Sequence, residues 1–186
     1  SPKPERRRPI TLWSPMGAAV ADLDQDGRDD LGVSLNFYVG RFQTREAAPF
    51  ADRTTANGPP GLVAAAGRPM IPWGLTYVDL DQDGRPDELT AHGNDHSAMV
   101  DPAYAVGPQR VRALWNAGNF RWLDVTAPLH LERLGQWRSL ALGDLEGDGD
   151  ADLIVGGVGE MPRVYRNDVV TGRHGFSLRL RGATSN

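Results

Sequence analysis

The chain has 186 residues, 40% of them hydrophobic and 24% charged, with a formal net charge of −4. That length allows one or two domains with a sizeable core, and the acidic balance lacks the basic footprint of a nucleic-acid binder. No apolar stretch approaches the length of a membrane-spanning helix, and the absence of cysteine excludes disulfides and thiolate metal sites.

The 22 glycines and 14 prolines call for many tight turns and hence a strand-rich fold. The chain opens at Ser1 with neither a Met nor an apolar signal segment, as expected of a processed or excised N-terminus. Residues 1–13 read as a tail. Glu5-Arg6-Arg7-Arg8 lies between prolines and is expected to be a solvated charge run, while Ile10–Trp13 could serve as a strand of a neighbouring unit.

A first unit, 14–57, begins with the small apolar run MGAAVA (Met16–Ala21) and continues through DLDQDGR (Asp22–Arg28) into DLGVSLN (Asp30–Asn36). YVGRF (Tyr38–Phe42) and FADRT (Phe50–Thr54) follow. A second unit, 58–127, repeats the order: WGLTYV, then DLDQDGR again letter for letter at Asp79–Arg85, then DELTAHGN. After an excursion at 92–110, VRALWN (Val111–Asn116) and FRWLDVT (Phe120–Thr126) complete it. The third unit, 128–186, carries RSLALG, the near-copy DLEGDGD (Asp144–Asp150), DLIVGG, PRVYRN (Pro162–Asn167) and FSLRLRG (Phe176–Gly182).

These runs are too short for helices and are bounded by Gly and Asn, so they read as strands. The acidic loops recur after 57 and then 65 residues (Asp22, Asp79, Asp144), a period suited to stacked supersecondary units. Four antiparallel strands per unit make a propeller blade, so the predicted fold is all-β: about three blades of a larger β-propeller. Three blades cannot close a ring. The remaining blades are therefore expected from the same parent chain or another chain, with Ile10–Trp13 and Phe176–Gly182 meeting strands outside the three units.

The acidic loops carry the chemistry. Asp22, Asp24 and Asp26 stand at positions 1, 3 and 5, and Gly27 at position 6 permits the sharp bend. A main-chain oxygen of Arg28 and the carboxylate of Asp30 complete a shell of hard oxygen donors, which is calcium chemistry. The second loop offers Asp79, Asp81, Asp83, Arg85 and Asp87, and the third Asp144, Glu146, Asp148, Asp150 and Asp152. Three Ca2+ ions are expected, the Glu146 site weakest because its side chain is one methylene too long. Three divalent ions would also turn the net charge positive. An EF-hand is excluded, since position 12 is Val33, Thr90 or Val155 where that loop needs a bidentate Glu. Asp-Gly pairs also close ordinary hairpins, but turn-making alone does not require carboxylates at positions 1, 3, 5 and 9 three times in register.

Other groupings carry less. His92, Asn94, Asp95 and His96 cluster after the second strand of the second unit, and Gly93 favours a polar loop over a transition-metal site. No nucleophile elbow or phosphate loop is present. Trp13, Trp73, Trp115, Trp122 and Trp137 could stack on sugars, but Trp115 and Trp122 fall inside strand patterns, and Trp73 and Trp137 recur just before inner strands.

The segments Trp73–Asn94, Leu114–Thr126 and Ala141–Gly157 resemble FG-GAP/VCBS repeats, the calcium-loop blades of integrin α-subunit propellers and many bacterial secreted proteins. The similarity extends to the cartilage-acidic-protein type, and Val164–Asn186 resembles a last blade running into an ASPIC/UnbV segment. Glu146 and Glu88 depart from the usual Asp and Leu. The resemblance implies a calcium-stabilised propeller, residence outside the cell or in the periplasm, and no specific reaction. The expected function is a non-enzymatic interaction or adhesion scaffold with a protein or glycan ligand. A lectin-like module and a non-catalytic part of a polysaccharide-active enzyme are the alternatives.

Overall fold

A computed structural model describes residues 15–35, 38–46, 50–54, 70–94, 107–169 and 172. Every regular element among them is a strand, and all pairings between strands are antiparallel. The first sheet is a meander of β1 (Gly17–Ala21), β2 (Asp30–Leu35), β3 (Tyr38–Gln43) and β4 (Ala51–Asp52). The second repeats it with β5 (Pro72–Val78), β6 (Asp87–His92), β7 (Arg112–Asn116) and β8 (Trp122–Asp124). The third contains β9 (Trp137–Gly143), β10 (Asp152–Gly157) and β11 (Arg163–Tyr165). The strands expected at Ile10–Trp13 and Phe176–Gly182 lie outside the described residues, as do 95–106 of the expected excursion.

One register recurs in all three sheets. Ala21 pairs with Asp30, Val78 with Asp87 and Gly143 with Asp152. Positions 1 to 8 of each acidic loop thus connect a hairpin, and position 9 opens the next strand. Gly27, Gly84 and Gly149, at position 6, have φ of 84°, 87° and 95°, left-handed backbone that glycine adopts without steric cost.

The sheets stack as blades, with β5 packed between β1 and β9. A repeated glycine allows this approach: a Cβ on Gly17 would lie 2.6 Å from the Trp73 carbonyl oxygen, and one on Gly74 would lie 2.8 Å from that of Arg138. Gly74→Val therefore overpacks the contact between the second and third blades. We expect a loss of about 1–3 kcal/mol, measured by denaturant unfolding, and an unchanged midpoint would show that the inner strands separate freely.

Among the described residues, two apolar clusters fill the gaps between blades. Leu23, Leu114, Phe120 and Trp122 join the first and second. Leu89, Ala91, Val111, Ala113, Leu131, Trp137, Leu153 and Val155 join the second and third. The middle blade is covered on both sides, and every residue of β6 is buried. The flanking blades are not: Tyr77 of β5 packs against Trp122 and sits over Gly32 of the first blade, whereas Val20, at the same register of β1, is 63% exposed.

Candidate metal centre

Each acidic loop is built by its first carboxylate folding back over the turn. Asp22 accepts the N–H groups of Asp26 and Gly27 (3.0 and 2.8 Å), and Asp79 accepts those of Asp83 and Gly84 (2.9 and 2.7 Å). In the third loop Asp144 accepts from Gly147, Asp148 and Gly149. The ninth carboxylate anchors the far end. Asp30 accepts from Leu23 and Thr44, Asp87 from Leu80 and Asn116, and Asp152 from Leu145 and Asn167.

This folding gathers Asp22, Asp24 and Asp30 in one loop and Asp79, Asp81 and Asp87 in the next, with carboxylate oxygens in each set within 4.8 Å of one another. Asp30 and Asp87 are fully buried. Burial pushes the Asp87 carboxyl up to about 7, with the charges of Asp81 and Asp79 adding to it and the N–H groups of Asn116 and Leu80 opposing it. Asp30 is raised for the same reasons, burial first, with Asp24 and Asp26 adding repulsion. Three crowded carboxylates on hard oxygen, with the innermost reluctant to ionise alone, are what a divalent cation would relieve. The donor sets fit such an ion.

The fifth-position carboxylates are turned elsewhere. Asp26 pairs with Arg28 of its own loop at 2.5 Å, and Asp83 pairs with Arg85. Each also accepts that arginine's backbone N–H. Arg85 further donates to the Asn116 carbonyl (2.9 Å) and lies over the Trp115 ring.

The third loop gathers no such set among the described residues. Glu146 lies 3.3 Å from Arg166, which also pairs with Asp168 at 2.7 Å. The Asp152 carboxyl is held below the usual range by the N–H groups of Asn167 and Leu145. A cation here already has a competitor of its own sign in Arg166.

Several roles were not visible in the motifs. Glu88, an oddity by resemblance, forms a bidentate pair with Arg41 of the first blade, Nε to Oε2 at 2.8 Å and Nη2 to Oε1 at 2.7 Å. Both are buried, and the guanidinium lies 5.1 Å from the Trp122 ring centre. Asn116 and Asn167, which end the third strands' sequence runs, each reach back to the preceding blade's loop: their Nδ2 groups donate to the carbonyls of Leu23 and Leu80, both at 3.0 Å.

His92 corrects the loop expectation. It is the last residue of β6, wholly buried, with Nδ1 3.1 Å from the Arg110 carbonyl, and burial lowers its pKa to about 3. It belongs to neither acidic set; Asp95 and His96 lie outside the described residues. Trp122 and Trp137 are buried, and Trp73 is stacked against Arg138 at 4.3 Å.

The model of the FG-GAP-like repeat family matches residues 100–155. The matched segment carries β7 to β9, the third acidic loop and the first part of β10. No curated protein matches the chain. With the FG-GAP-like match, the three antiparallel sheets are consistent with propeller blades. The narrower ASPIC/UnbV resemblance gains no support from the match. Among the described residues no helix is long and apolar enough to cross a membrane.

Proposed function

We propose that the chain is a calcium-binding propeller segment that acts as an interaction scaffold outside the cell or in the periplasm. The observation that carries this is the pair of equivalent carboxylate sets, Asp22/Asp24/Asp30 and Asp79/Asp81/Asp87, in loops of one register. These two sets would hold the ion, with the main-chain oxygens of Arg28 and Arg85 and the carboxylates of Asp26 and Asp83 as the further donors the loops could offer. Bound calcium would supply the positive charge that lets the buried ninth carboxylate ionise. The third loop, with Arg166 beside Glu146, is the weakest site.

Extracellular calcium modules of this kind bind at roughly 0.1–1 mM, a range that suits a secreted or periplasmic setting. The apolar exposure of Val20 and of Met161 (80%) and Val164 (59%) supports completion by further blades, of the same parent chain or another. The lectin alternative is weaker because arginines lie against Trp73 and Trp115, while Trp122 and Trp137 are buried.

Titration calorimetry of the full chain with calcium chloride tests the reading. Asp24→Asn and Asp81→Asn should each weaken one strong site at least tenfold and spare the other's donors. Absence of calcium-dependent heat, or heat untouched by both substitutions, would remove calcium from the account.

A further inference from the structure

Asn116 touches both strong acidic loops at once. Its backbone N–H donates to Asp87 Oδ1 at 2.8 Å, fixing the innermost carboxylate of the second loop. Its Nδ2 donates to the Leu23 carbonyl at 3.0 Å and to that of Pro86 at 3.1 Å. Leu23, in turn, gives its N–H to Asp30 Oδ2 at 3.0 Å in the first loop. Asp30, Leu23, Asn116 and Asp87 thus form one buried chain, and all four residues are fully buried. Buried polar chains of this kind hold two arrangements poorly, because a displaced member leaves its neighbours without partners.

The device is repeated. Asn167 donates its N–H to Asp152 Oδ1 at 2.9 Å and its Nδ2 to the Leu80 carbonyl, and the Leu80 N–H bonds Asp87 Oδ2 at 3.0 Å. In the first blade Thr44 holds the corresponding place: its N–H bonds Asp30 Oδ1, but it has no side-chain amide to reach further. A second link, from Gln25 Nε2 to the Gly84 carbonyl at 3.1 Å, runs through solvent-exposed atoms, where a hydrogen bond competes with water and contributes less.

We propose that Asn116 is a positioning residue that couples cation binding at the first and second loops, so that filling one raises the affinity of the other. This rests on the calcium reading above. An ion at the first loop would fix Leu23 and Asp30, and with them the Leu23 carbonyl that Asn116 already engages. Asn116, so held, presents its N–H to Asp87. Coupling of this kind is reciprocal.

The test reads each loop separately. Amide resonances of Gly27 and Gly84 are followed by NMR as the full chain is titrated with calcium chloride. With Asn116 intact, Asp24→Asn should raise the midpoint seen at Gly84 by about fivefold or more. In Asn116→Asp, which keeps an acceptor for Gly118 but loses both Nδ2 donations, the same change should move Gly84 less than about twofold. Asn116→Ala, which adds no charge, should do likewise and decides the matter if Asn116→Asp misfolds. Asn167→Ala should leave the coupling between the first two loops intact. A Gly84 midpoint indifferent to Asp24→Asn in the parent chain overturns the coupling alone, as does a shift of equal size without the Asn116 amide. No calcium response at either glycine overturns the calcium reading and the coupling with it.

Discussion

Glu88→Ala should be strongly destabilising, costing about 3–5 kcal/mol. The substitution leaves the Arg41 guanidinium, 6% exposed and donating to Glu88 at 2.8 and 2.7 Å, without an anion between two blades. Water cannot readily replace the carboxylate, because Trp122 and Tyr77 enclose the same space. For a chain of this length that loss corresponds to a melting temperature lower by roughly 6–20 °C. The pair itself need not be strongly stabilising. Arg41→Leu with Glu88→Leu removes both charges together and should recover most of the loss, as buried ion pairs replaced by apolar groups often do. A Glu88→Ala protein that melts within a degree or two of the parent would show that the guanidinium finds solvent.

Calcium should reverse the sign of what the acidic loops contribute to the pH dependence of stability. In the metal-free fold Asp87 has its carboxyl raised to about 7 by burial, against about 3.9 for an ordinary aspartate. The folded chain therefore holds this proton more tightly than the unfolded chain. That contribution is complete below about pH 4, is lost as pH rises, and is gone above about 7. Asp30 shifts in the same direction. The buried His92, lowered to about 3, contributes the opposite trend over this window, so the loops are read by difference: between pH 5 and pH 8 the metal-free parent should lose more stability, or gain less, than metal-free Asp87→Asn.

On the proposed reading calcium would bind the ionised carboxylates, so with the ion present the loops' contribution should invert over the same window. At about ten times Kd each site adds about 1.4 kcal/mol, and the two strong sites together about 3 kcal/mol, or roughly 6–12 °C at pH 8. Melts at the two pH values, with calcium or with chelator, measure all four corners. Parallel pH trends with and without the ion would defeat this assignment of the sites.

Much of the molecule is legible along the chain because the relevant physics is local. Short runs rich in small and apolar residues, too brief for helices and bounded by turn residues, make MGAAVA, WGLTYV and RSLALG read as strands. The spacing of Asp22, Asp24, Gly27 and Asp30 dictates a turn whose first carboxylate caps its own N–H groups, and Asp79–Asp87 must do the same. The all-β blade organisation and the identity of the acidic loops follow from these two facts.

What the loops do with their carboxylates was decided by contacts across the fold. Positions 1, 3 and 9 converge in two loops while position 5 turns to a neighbouring arginine, a choice between partners that spacing does not rank. Glu146 departs from its repeat because Arg166, on the strand side of the third blade, stands within reach. Glu88 reads as an error in a buried strand until Arg41, 47 residues away, arrives to pair with it. Asn116 reads as a strand terminator until blade packing places the Leu23 carbonyl, 93 residues away, against its amide. A buried polar group must find a partner somewhere, and only the stacking of blades determines which partner is close enough.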